Sequence, residues 1–140
     1  MPVHPELAEA RQRAARHAPF LAAAMARAPD LADRLQEEGL DAALDHLRNL
    51  GREGPVAEAL RRRKSGLALV LALADLAGLV GVDRVTRILS DFADQALDAA
   101  LADIIARRTP DAEPRGFAVI ALGKHGGQEL NYSSDIDPIF

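Results

Sequence analysis

The sequence predicts a mainly α fold, a helical bundle followed near the carboxy-terminal end by a β-hairpin. Three observations carry this expectation. The chain is 49% hydrophobic but only 4% aromatic, and the apolar share is chiefly Ala and Leu, which suits closely packed helices better than an all-β sandwich. Apolar residues recur at spacings of three and four as far as Arg108. After Gly116 the pattern changes to β-branched runs, Phe117, Val119 and Ile120 and then Ile136, Ile139 and Phe140, joined by a glycine-rich connection.

The helical part divides into segments over 4 to 28, 30 to 38, 40 to 50, 55 to 80 and 83 to 108, a bundle of five helices. Pro19 is expected to kink the first, and Pro29-Asp30 to open the second. Gly39 and Gly51 stand where C-caps belong, and Gly54-Pro55 supplies a start. The fourth segment is almost wholly apolar after Ser65, as expected of a central helix covered on most sides. Asp75 within it is read as a core residue bonded between helices, with Arg84 or Arg87 as its partner. The fifth segment carries one apolar face, from Val85 and Ile88 through Phe92 to Ile104 and Ile105. Two prolines and a glycine mark residues 110–116 as a linker. The domains expected are therefore a bundle at 1–109, the linker, and a separate motif-bearing region at 117–140.

Bulk properties narrow the chemistry. With no cysteine, disulfides, thiolate zinc sites and cysteine nucleophiles are excluded. The four histidines have no metal-ligand spacing. A formal net charge of −4 argues against a nucleic-acid partner. The stretch Gly66 to Val82 carries a charge and is too short for a membrane span, so no membrane association is expected. The first residues lack the basic and apolar regions of a secretory signal, and a cytoplasmic location follows. Arg61-Arg62-Arg63-Lys64 reads as a solvated helical turn in preference to an anion-docking patch.

Chemical information concentrates in Gly116 to Phe140. On a strand, residues i and i+2 share a face, so Asp135 and Asp137 would present two carboxylates together while Ile136 points to the core. Such a pair suits magnesium, which takes carboxylates together with phosphate oxygens and water; two such ions can clamp an in-line phosphoryl displacement. Gly126 and Gly127 would let backbone N–H groups approach a phosphate and adopt positive φ. Lys124 would bring an ammonium, and Ser133 or Ser134 a hydroxyl, to the same anion. Taken singly, Asp-x-Asp reads as a solvated edge and Gly-Gly as a hairpin turn. Their combination, flanked by apolar runs, points to metal-dependent nucleotidyl transfer.

The run Gly123-Lys-His-Gly-Gly-Gln-Glu-Leu-Asn-Tyr-Ser-Ser-Asp-Ile-Asp137 resembles the motif of the glutamine synthetase adenylyltransferases, the bifunctional adenylylating and deadenylylating enzymes of bacterial nitrogen regulation. The resemblance is specific but short, and the helical prefix shares only the family's general character. It implies that the hairpin is the first of an α+β nucleotidyltransferase domain left incomplete at Phe140. Family members carry two such domains, and Glu129-Leu130-Asn131 with Ser133-Ser134-Asp135-Ile136-Asp137 resembles the amino-terminal one. That copy is the deadenylylating half, in which phosphate attacks the AMP–tyrosine bond of modified glutamine synthetase and releases ADP.

By the same resemblance Asp135 and Asp137 would hold magnesium, with Gly126, Gly127 and Ser134 near the nucleotide or phosphate. A third acid on a later strand would complete the site, so the 140 residues alone are expected to be inactive. The implied partners are glutamine synthetase, ATP or ADP with phosphate, and a PII-type signalling protein acting on the full-length enzyme. Two positions depart from the family pattern, Pro138 and His125, each standing where Leu is usual. His125 is read as an exposed turn residue without a catalytic role. Two other readings compete: another nucleotidyltransferase, of the uridylyltransferase or antibiotic-modifying type, and a non-catalytic helical interaction module.

Overall fold

A computed structural model describes residues 4–50, 54–113 and 115–137. The chain divides into two compact units, Met1–Val82 and Asp83–Phe140. The division falls ahead of the last long helix, which therefore groups with the motif segment.

The first unit holds α1 (Pro5–His17), α2 (Pro19–Arg27), α3 (Pro29–Glu38), α4 (Leu40–Asn49) and α5 (Val56–Leu76). Three of these helices open on a proline at the first helical position, where the missing N–H would have had no partner. The residue before each proline is pushed out of the helical region: His4 at φ −137°, Ala18 at −128° and Ala28 at −138°. Pro19 thus does more than kink the first expected segment. With Ala18 at ψ 87° the helix ends at His17 and a second begins, so one segment becomes two. Gly39, at φ +88°, closes α3 and opens α4 in one residue, a conformation that glycine reaches without strain. Gly51 lies outside the described residues.

The central helix is α5, which packs against each of α1 to α4. Leu69, Val70, Leu71 and Leu73 are almost wholly enclosed, together with Leu7 of α1 and Leu35 of α3. Fully burying a side chain of this size is worth about 1.5–3 kcal/mol. Close approach is possible because Gly66 faces α3 and α4: a Cβ there would lie 2.5 Å from Cδ2 of Leu47 and 3.0 Å from Cδ2 of Leu31. Polar ties run outside this core. The Arg11 guanidinium donates to Gln36 Oε1 at 2.7 Å and to Asp33 Oδ1 at 2.8 Å, joining α1 to α3.

At its carboxy-terminal end α5 stops in a Schellman cap. Gly78, at φ +71°, donates to the carbonyl of Asp75, and Leu79 donates to that of Ala74. Arg13 of α1 donates to the carbonyl of Leu76 beside it. Asp75 departs from expectation here. Its side chain is exposed at the helix end, because α5 stops one residue later at Leu76 and the cap turns the chain at Gly78, which lets the carboxylate reach water. Arg61, Arg62 and Lys64 are exposed, as the solvated-turn reading requires. No helix among the described residues is long and apolar enough to cross a membrane.

The second unit is built on α6 (Val82–Arg108), followed by the short α7 (Gly123–Gly126). Val85, Ser90 and Ala93 are buried, whereas most of the apolar stripe is half-covered and Ile104 is 51% exposed.

The described residues are mainly α and contain no strand, so no part of the hairpin expected at 117–140 appears among them. A strand is held by its ladder partner, and an isolated two-stranded hairpin is marginal in water. Phe117, Val119 and Ile120 have no covering layer and remain exposed. The glycine-rich connection expected between two strands is helical at Gly123–Gly126. Ile139 and Phe140 of the second run lie outside the described residues.

Candidate functional site: the glycine turn and the paired carboxylates

Backbone bonding gives the glycine turn a definite form. Gly126 donates to the carbonyl of Leu122, and Gly127 to that of Gly123 at 2.9 Å. The turn then closes as α5 does: Gln128 donates to His125 O, and Glu129 donates to Lys124 O at 2.7 Å, which is a second Schellman cap. The left-handed position falls on Gln128 at φ +60°, and Gly123 takes +59°. Positive φ was expected at Gly126 and Gly127. Gly127 has φ −81°, and the N–H groups of both glycines are engaged inside the turn. What Gly126 supplies is space. A Cβ there would stand 2.4 Å from the backbone oxygen of Ala121.

Two side-chain bonds seat this turn on α6. Ser90 is fully buried, donates its hydroxyl to Thr86 O at 2.9 Å, and accepts the backbone N–H of Leu130 at 3.2 Å. Nε2 of His125 lies 2.7 Å from Oδ1 of Asp94. A carboxylate only accepts, so this ring nitrogen carries the proton. His125 is 8% exposed and Leu130 6%. The expectation of an exposed turn histidine is therefore corrected: α7 winds the ring inward, and Asp94 gives its polar edge a partner.

The next four residues form a turn organised by Asn131. Its Oδ1 accepts from the Ser133 N–H at 3.0 Å and from the Ser134 hydroxyl at 3.1 Å, its carbonyl accepts from Ser134 N–H, and its own N–H donates to Ser134 Oγ. This is Asx-turn chemistry, with the side chain replacing a backbone acceptor. It also occupies the Ser134 hydroxyl proton, which the sequence reading offered to a phosphate.

Asp135 and Asp137 follow, both exposed, and Lys124 is exposed as well. No hydrogen bond or ion pair ties either carboxylate to another described residue. As hard oxygen donors two residues apart, they suit magnesium in kind. No group of three or more potential metal ligands occurs among the described residues. Pro138 lies outside the described residues.

Reading the sequence missed Ser90 and Asp94. One signal was present: Ser90 sits between Thr86 and Ala93 at helical spacing, a hydroxyl within an apolar surface. Nothing in α6 alone indicated which backbone group it would receive.

A glycine turn of this kind, followed by paired carboxylates, occurs here within a chain that matches a family of nucleotidyltransferases over residues 9–140, and the chain belongs to that family. The family is described as glutamate-ammonia ligase adenylyltransferase. The chain is 49% identical over 98 residues to a bifunctional glutamine synthetase adenylyltransferase/adenylyl-removing enzyme of Xanthobacter autotrophicus, covering 62% of this chain and 10% of that protein. It is 38% identical over 141 aligned positions to the proteins of the same name from Burkholderia mallei and Burkholderia pseudomallei, covering 86% of this chain and 15% of each relative. The chain thus spans only 10 to 15% of the length of these curated relatives. No solved structure matches it.

Proposed function

We propose that this chain is the amino-terminal part of an enzyme that removes AMP from a tyrosine of glutamine synthetase and, in its other half, adds it. Removal is phosphorolytic: phosphate attacks the AMP–tyrosine linkage, and ADP leaves with the tyrosine hydroxyl restored. The observation that carries this reading is the run from Gly123 to Asp137 within a chain of the glutamate-ammonia ligase adenylyltransferase family. Its Glu129-Leu130-Asn131 and Ser133-Ser134 elements favour the deadenylylating copy of the motif.

In this reading Asp135 and Asp137 hold magnesium, and further ligands come from outside these residues. When bound, the ion neutralises phosphate charge and orients the phosphates for in-line displacement. The rest belongs to the chain's own groups. Lys124 attracts the anion, Gly126 and Gly127 keep the turn free of side chains where phosphate approaches, and Asn131 with Ser133 and Ser134 fixes the backbone leading into Asp135. In the longer enzyme, 110–116 is the linker between a helical region and a nucleotidyltransferase domain whose first hairpin begins in the segment after it. The enzyme is cytoplasmic, binds ATP, ADP and phosphate, and answers to a PII-type signalling protein.

The test is phosphate-dependent ADP release from adenylylated glutamine synthetase by the full-length enzyme. Asp135→Asn and Asp137→Asn should each abolish it while the other half still adds AMP. Undiminished ADP release by both variants would exclude these carboxylates from the reaction.

A further inference from the structure

The glycine turn meets α6 at two points one helical turn apart, Ser90 and Asp94. Ser90 holds the backbone of Leu130. Asp94 holds a side chain, the enclosed ring of His125, at 2.7 Å. The Schellman bonds to His125 O and Lys124 O close the turn between these anchors, and the groups proposed to meet phosphate lie beside His125: Lys124 before it, Gly126 and Gly127 after it. Gly126 has no room for a side chain towards Ala121, where a Cβ would stand 2.4 Å from the backbone oxygen. The turn is therefore closely backed by Ala121 on one side and tied to α6 by the histidine on the other.

We infer that His125 is a positioning residue, acting through Asp94 to fix the phosphate-facing turn on α6. This rests on the proposed phosphorolysis and deepens it. The histidine touches no reacting atom. Its ring fills the space under the turn, and its Nε2–H bond sets where along α6 the turn sits. Asp94 is 51% exposed on its side chain, so the pair lies at the edge of the buried contact, and removing the carboxylate leaves the core of α6 intact. A hydrogen bond to a charged partner, lost with the other partner left buried, is costly enough to release a short turn. Catalysis that relies on held geometry suffers chiefly in kcat when that geometry loosens.

The experiment uses full-length enzyme carrying His125→Ala, Asp94→Ala, both together, or His125→Gln, whose amide N–H can reach towards Asp94. Hydrogen exchange is read in the peptide spanning 123–130, and ADP release is measured against phosphate concentration. Both single variants should exchange about tenfold faster in that peptide, with α1 to α5 unchanged, as expected for loss of one charge-assisted bond. Their kcat should fall by a similar factor while KM for phosphate stays within about twofold. The double variant should be no worse than the more damaged single one, since one contact is shared, and His125→Gln should recover most of both losses.

Unchanged exchange in Asp94→Ala, the variant that leaves the core untouched, overturns the seating role. Faster exchange with normal kcat, or a loss confined to KM, overturns the positioning role. A wild-type enzyme that releases no ADP sinks the functional reading and the positioning role with it, while the exchange arm still decides the seating.

Discussion

The hydroxyl of Ser90, wholly buried on α6, accepts a hydrogen bond from the backbone N–H of Leu130 at 3.2 Å and donates one to Thr86 O. A serine in mid-helix usually turns its hydroxyl back to the preceding turn and gains little from it. Here the same oxygen also serves a loop forty residues away in sequence. Ser90→Ala removes the acceptor and leaves the Leu130 N–H enclosed without a partner, which costs about 1–3 kcal/mol. Urea denaturation followed by circular dichroism should show a lower midpoint with an unchanged slope. A midpoint equal to that of the parent chain would mean that water replaces the hydroxyl freely.

Gly66 gives a second prediction, in which two opposing effects must be weighed. Alanine in a helix interior is favoured over glycine by about 1 kcal/mol. Against this, the new methyl would meet Leu47 at 2.5 Å and Leu31 at 3.0 Å. Those leucines are themselves 3% and 7% exposed, with little room to rotate, and overpacking of this kind costs about 1–3 kcal/mol. Packing wins, so Gly66→Ala should destabilise by about 1 kcal/mol, taking these two magnitudes together. Adding Leu47→Val should return part of the loss, a non-additivity expected of residues in contact. An alanine variant more stable than the parent would show that α4 can move away from α5.

How much of this was legible in the sequence differs between elements for physical reasons. The helices of the first unit were readable because proline, glycine and apolar spacing act locally; Pro29 and Gly39 mark boundaries wherever they stand. Pro19 was visible too, but whether it bends or breaks a helix depends on Ala18, whose backbone left the helical region. Asp75 was misplaced because apolar neighbours in sequence say nothing about the cap that turns the chain at Gly78. The expected hairpin is absent among the described residues for a different cause. Alternating residues such as Phe117 and Val119 describe a strand only when a partner supplies the ladder, and none is paired with them among the described residues. His125 was misread because its partner, Asp94, lies 31 residues earlier, on a helix whose own pattern does not point to it.

Arg11 supplies a test of polar contributions outside the core. It bonds both Gln36 and Asp33 from a position 28% exposed, whereas Asp33 is 53% exposed. Water screens the aspartate side, so the ion pair itself is worth only about 0.2–1 kcal/mol. Arg11→Ala should cost about 1 kcal/mol in total, because the Gln36 bond is lost with it. Raising sodium chloride should shrink only the ionic share. Thermal unfolding of Asp33→Asn, Gln36→Ala and Arg11→Ala at low and high salt separates the two. Equal losses for Arg11→Ala at both salt levels would assign the effect to Gln36 alone.

The adjacent glycines Gly126 and Gly127 should respond oppositely to the same substitution. At Gly126 an added Cβ would lie 2.4 Å from the Ala121 carbonyl oxygen, and backbone cannot swing aside as a side-chain tip can. At Gly127 the nearest atom is 3.4 Å away, an ordinary contact, and φ −81° is open to any residue. Gly126→Ala should therefore disrupt the turn, raising hydrogen exchange across 123–130 and abolishing ADP release together. Gly127→Ala should leave exchange as it was. If Gly127 serves the reaction by letting phosphate come close to the backbone, its alanine variant should lose ADP release through a higher KM for phosphate, because a methyl obstructs the ligand and not the fold. Normal KM in Gly127→Ala would remove this glycine from the phosphate site.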